Sequence, residues 1–195
     1  MKNRLIKFIL VAALVVGGLG VFTASASAHG YVSSPGSRAY KGSNLGGNLN
    51  TNVGQAQWEP QSIETLKNTF ISGKLASAGL TQFAPLDEQT ATRWHKTDIK
   101  TGVQPITWTL TAKHSTTNWK YFMTKEGWNP NQPLDIKNFD LIGQVNDNGA
   151  IPTSPTTHNV TIPANRTGYH VIYAVWTIND TANAFYQAID VNVVK

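Results

Sequence analysis

The sequence predicts a mainly β chain folded as an antiparallel β-sandwich, with a long N-terminal loop insertion carrying short helices. Three observations lead there. Residues 106–114 alternate strictly, with Ile106, Trp108, Leu110, Ala112 and His114 on one parity and Thr107, Thr109, Thr111 and Lys113 on the other. Period-two alternation of this length marks a half-buried strand. Residues 168–178 are apolar on both parities, as in a central strand covered on both faces. The first half of the chain after residue 29, by contrast, is rich in Gly, Ser, Asn, Thr and Gln and has few apolar runs.

The elements follow in order. Residues 1–28 read as a cleaved secretory leader, with Lys2, Arg4 and Lys7 ahead of an apolar run from Phe8 to Phe22 and the small-residue site Ala26-Ser27-Ala28. The run is short for a membrane span and has no second basic flank. Residues 29–195 then form a single domain, soluble and extracellular. Residues 61–72 place Ile63, Leu66 and Phe70 at spacings of three and four, which predicts a short helix. Strands are expected at 106–114, 119–124 and 158–162, the last closed by Pro163. The strand at 168–178 is followed by turn residues Asn179 to Asn183 and a further strand at 184–194, an antiparallel hairpin. Strands at this spacing fit an immunoglobulin/fibronectin III-like sandwich.

Composition narrows the chemistry. The chain of 195 residues carries a net charge of +5, but three of its 16 basic residues lie in the leader and none of its 11 acidic ones does. The processed chain is therefore close to neutral and has no Lys/Arg run, which argues against nucleic-acid and anionic-membrane partners. There are no cysteines, so disulfides, thiolate-held metals and thiol nucleophiles are excluded.

The histidines include candidate metal ligands. Cleavage after Ala28 would leave His29 at a free N-terminus, where its α-amine and imidazole could chelate a metal together. The alternative is a histidine that follows the cleavage site by coincidence. Its possible partners are His95, His114, His158 and His170. His170 lies in the doubly apolar strand and reads as a hydrogen-bonded core residue. His158 opens a strand near Pro155 and reads as solvated. His95 sits in a polar stretch that decides nothing. His114 ends the alternating strand on its apolar parity, either as a satisfied, partly buried residue or as a side chain reaching a site at the edge of the sandwich.

Five segments carry a resemblance to a known family: 29–38 (HGYVSSPGSR), 58–64 (WEPQSIE), 89–94 (QTATRW), 110–115 (LTAKHS) and 174–190 (AVWTINDTANAFYQAID). In this order they resemble the bacterial lytic polysaccharide monooxygenases of auxiliary activity family ten, the chitin-binding protein type. The resemblance implies one copper ion held by His29, through its amine and imidazole, and by His114. It implies that Phe185 blocks one axial side of the copper and that Ala112 shapes the other approach. Trp176 and Ile178 would line the pocket, and Glu64 would be a carboxylate near the metal. Glu64 read alone is a solvated helix acid.

The same resemblance implies a flat polysaccharide-contact face of Trp58, Glu59, Pro60, His114, Asp180, Thr181 and Asn183. Trp58 stands beside Gln57, Glu59 and Pro60, poor company for a core ring, so exposure is expected. The implied reaction is oxidative cleavage of crystalline chitin at C1, leaving aldonic acid ends. It would use O2 or H2O2 and an external electron donor and be carried out by a monomer, with cellulose the second choice of polymer. A non-catalytic chitin adhesin and a periplasmic-type copper carrier are the rival readings.

Overall fold

A computed structural model describes residues 28–194. The expected leader lies outside these residues except for Ala28. The strands are β1 (His29–Ser34), β2 (Glu64–Leu66), β3 (Thr97–Lys100), β4 (Gly102–Ala112), β5 (Thr116–Thr124), β6 (Phe139–Asn146), β7 (Thr156–Ile162), β8 (Gly168–Ile178) and β9 (Asn183–Val194). A short helix, α1 (Arg38–Lys41), and 3-10 turns at Asn44–Gly46, Gly54–Gln57 and Thr81–Asp87 occupy the long connection between β1 and β3.

The strands form two sheets. One has the order β1-β4-β7 and the other β2-β9-β8-β5-β6, with β3 also on β9. All pairings are antiparallel except β3 with β9, which is parallel. The long outer edge of β9 is covered at its start by β2 and at its end by β3. Covering an edge in this way removes a template for unwanted strand pairing.

Two apolar layers account for the patterns read in the sequence. Between the sheets, Val32, Ile106, Trp108 and Leu110 meet Trp119, Tyr121, Met123, Ile172, Trp176, Phe185 and Ile189. On the other side of the larger sheet, Val171, Tyr173, Val175, Tyr186 and Ala188 are covered by Val53, Ile63, Leu75, Phe83, Leu86 and Trp94 of the long connection. β8 and β9 thus bury both faces, which is why they lack polar alternation. β4 contacts the core on one face only and alternates.

A fully buried ion pair fixes the connection to the sheet. Arg38 Nε lies 2.8 Å from Asp190 Oδ2, each side chain 1% exposed. The guanidinium also donates to Leu86 O and to Gln89 Oε1, and Tyr169 donates its hydroxyl to Asp190. A buried charge needs such complete pairing. Nearby, burial lowers the Lys41 ammonium pKa to about 8.

Two sequence expectations are corrected. Residues 61–72 do not form a helix: Glu64–Leu66 is a strand, and the flanking residues are turns or irregular. The open edge of β9 offered hydrogen bonds that outweighed local spacing, and Ile63 and Phe70 still reach the core. His158 is buried rather than solvated, because its parity on β7 points inward, where Tyr121 Oη lies 2.6 Å from its Nδ1. Burial lowers the His158 pKa. His170 is buried as expected, with Thr124 Oγ1 2.9 Å from its Nδ1. Among the described residues, no helix is long and apolar enough to cross a membrane.

Candidate metal centre and surface

One end of the sandwich gathers the start of β1, the end of β4, the end of β8 and the starts of β5 and β9. His29 pairs with Ala112 in the β1–β4 register, and His114 follows Ala112 by two residues. Gly30 makes this close approach possible. A Cβ on Gly30 would stand 2.8 Å from Leu110 Cδ2 and 3.2 Å from both Thr109 O and the Trp176 ring. A side chain there would press on the Leu110 methyl, the Thr109 carbonyl and the Trp176 ring, so glycine suits this crowded position.

His114 is 8% exposed and held from several directions. Its Nδ1 lies 2.7 Å from Asp180 Oδ1. A carboxylate only accepts, so Nδ1 donates to it and the ring is turned with Nε2 on the opposite side, the usual orientation of a metal-binding histidine. The His114 carbonyl accepts from Thr116 Oγ1 at 3.0 Å, and that hydroxyl accepts from Trp176 Nε1 at 2.8 Å. The next residue, Ser115, accepts the Asn179 N–H at its carbonyl and donates its hydroxyl to Gly149 O.

Phe185 comes to His29 from β9, with ring centroids 6.3 Å apart. Trp176 is its cross-strand partner, and those rings lie 5.0 Å apart. Ile178 is buried at the end of β8, opposite Thr116. Glu64 pairs with Phe185 across β2 and β9, and its Oε1 accepts from Asn183 Nδ2 at 2.9 Å. The structure therefore brings His29, His114, Ala112, Phe185, Trp176, Ile178, Glu64, Asp180 and Asn183 to one end of the fold. Thr181 lies in the same turn, where its hydroxyl accepts from the Asn183 N–H.

The contact face is partly as expected. Trp58 is 65% exposed and Glu59 is exposed. Pro60 is buried, which corrects its expected place on the surface. Its carbonyl accepts from Gln187 Nε2, so it anchors the 58–64 segment to β9. Asp180, expected on the face, is also the partner of His114. Sequence reading missed the supports at Gly30, Ser115, Thr116 and Asn179. Only Gly30, beside His29, carried a signal that could have been read.

Among the described residues, no group of three or more His, Cys, Asp or Glu side chains could hold a metal. A pair of histidines suits a metal when a third donor comes from the main chain. In a chain beginning at His29 the nitrogen of that residue would be an amine and could be that donor. The donor set of two imidazoles and an amine fits copper, which favours nitrogen ligands in tetragonal geometry.

Known proteins carry the same frame. Residues 29–191 match the family described as lytic polysaccharide mono-oxygenase, cellulose-degrading. The chain is 62% identical to a lytic chitin monooxygenase of Enterococcus faecalis, over 99% of this chain and 100% of that protein. It is 46% identical to GlcNAc-binding protein A of Shewanella oneidensis over 97% of this chain, but spans only 40% of that longer protein. A polysaccharide monooxygenase CBM33 studied by X-ray photoreduction superposes with a TM-score of 0.84 at 67% identity, covering 85% of this chain and 100% of that one. The Bacillus amyloliquefaciens CBM33 in complex with Cu(I) superposes with a TM-score of 0.76 at 40% identity, covering 85% and 100%. With the matched residues beginning at His29 and extending into β9, the chain belongs to the lytic polysaccharide monooxygenases of auxiliary activity family ten.

Proposed function

We propose that residues 29–195 form a secreted, monomeric copper enzyme that cleaves crystalline chitin by oxidation at C1. The observation that carries this reading is the His29–Ala112 register, with His114 two residues beyond and oriented by Asp180. The α-amine and imidazole of His29 and the Nε2 of His114 would hold one copper ion. When bound, copper supplies the redox chemistry, drawing electrons from an external donor with O2 or H2O2 as co-substrate.

The protein residues do the rest. Phe185 closes one side of the site with an apolar ring, backed by Trp176 and Ile178. Ala112 keeps the opposite approach open because its side chain is a single methyl. Glu64 can hold or pass a proton at its Oε atoms, with Asn183 fixing its rotamer. Trp58 offers a flat ring for the apolar face of a sugar, with Glu59, Thr181 and Asn183 as polar neighbours for hydroxyl and acetamido groups. Chitin is preferred to cellulose because the relative named for chitin matches this chain along its whole length.

The test uses protein beginning at His29, loaded with copper and incubated with β-chitin and ascorbate. Aldonic acid oligosaccharides detected by mass spectrometry are the expected products. Protein beginning at Ala28, whose His29 nitrogen is an amide, should neither bind copper tightly nor release them. Binding to chitin without oxidised products would overturn the reading in favour of an adhesin.

A further inference from the structure

Leu66, the last residue of β2, is 61% exposed. A single exposed leucine means little by itself. Its register gives it meaning. Leu66 pairs with Asn183, and Glu64 pairs with Phe185. Residues directly opposed on an antiparallel pair share a sheet face, and residues two apart on one strand do as well. Leu66 therefore stands on the same face as Glu64 and Phe185, the ring that meets His29. Its cross-strand partner Asn183 is also the residue bonded to Glu64.

The same edge of β9 continues to Gln187, which holds the carbonyl of Pro60 just after the exposed Trp58. Along the segment 58–66, Glu64 thus stands between two exposed apolar residues, Trp58 before it and Leu66 after it. The four residue steps from Asn183 to Gln187 correspond to roughly 13 Å of strand, the order of a few sugar rings. The position of Leu66 is fixed. Its carbonyl accepts from both Tyr186 Oη and Thr69 Oγ1 at 2.7 Å, and the following Lys67 N–H bonds Ala182 O at 2.9 Å. A well-anchored leucine is held out in water beside the proposed centre.

We propose that Leu66 is a substrate-positioning residue, a second apolar contact that grips the polysaccharide on the far side of Glu64 from Trp58. The assignment rests on the polysaccharide-surface reading above. The isobutyl group packs on the apolar face of a pyranose ring, while Asn183 beside it bonds the ring substituents. Contacts on both sides of Glu64 fix where the glycosidic bond falls relative to His29 and His114.

The test compares binding isotherms on β-chitin for copper-loaded protein without reductant. The proteins are the parent, Leu66→Thr, Leu66→Met and Trp58→Ala. Thr keeps strand propensity while removing most of the apolar surface, and Met restores it. Leu66→Thr should weaken binding about fivefold and Leu66→Met should restore it. Copper affinity and the thermal unfolding midpoint of Leu66→Thr should match the parent, which separates positioning from a structural role. Parent-like binding by Leu66→Thr, with Trp58→Ala weakened, would overturn the assignment alone. Parent-like binding by both variants would overturn the surface reading and the assignment with it.

Discussion

Asp180 Oδ1 lies 2.7 Å from Nδ1 of His114, so a residue in the β8–β9 turn sets the orientation of a ring just beyond the end of β4. The carboxylate holds the imidazole at Nδ1 and so fixes its angle. Asp180→Ala should therefore leave the fold intact and weaken copper binding by about 10- to 100-fold, the usual effect of losing such a partner. Isothermal titration with copper measures it. An unchanged affinity would mean that Asp180 serves the sugar face alone.

Arg38 and Asp190 join the long connection to the larger sheet. Replacing Arg38 with Met would leave the Asp190 carboxylate buried without its cation. The expected loss is about 3–5 kcal/mol, read from denaturant unfolding. Because the pair lies on the face of β9 away from the inter-sheet core, the affinity of the remaining folded protein for copper should change little. A loss below about 1 kcal/mol would show that water reaches the site or that the connection relaxes around it.

Acid should destabilise the fold through His158 and His170. Burial lowers both pKa values from 6.5, against opposing pulls from Asp147 on His158 and from Glu126 on His170, while Arg166 lowers His170 further. In the unfolded chain these rings bind protons near pH 6.5, before the folded ones do. Their contribution is thus present above that pH and is lost as pH falls through the lower folded values. Unfolding midpoints measured between pH 7.5 and 5 should decrease. His158→Gln should flatten that decline, and an equal slope in the variant would remove His158 from the explanation.

The strands that carry the fold were legible where burial was simple. β4 alternates because one face meets water, and β8 is apolar throughout because each face meets a different core layer. β1, β3 and β6 were not legible as strands. β1 has mixed small and polar residues, and β6 is mostly exposed on the edge of its sheet. Residues 61–72 misled because three apolar residues at helical spacing reach the core without a helix. His158 misled because a polar residue type says nothing about an inward parity when a tyrosine hydroxyl waits to bond it.

The candidate site divides in the same way. Sequence alone supplied His29 behind an expected processing site, His114 at the end of an alternating strand, the exposure of Trp58 and the absence of cysteine. These are local properties, fixed by residue type and spacing. Only the tertiary structure decided that Asp180 orients His114, that Asn183 holds Glu64, that Pro60 is an anchor and that Leu66 shares the face of Glu64 and Phe185. Those relationships depend on which strands pair and in what register, and register is set by long-range packing of the two core layers.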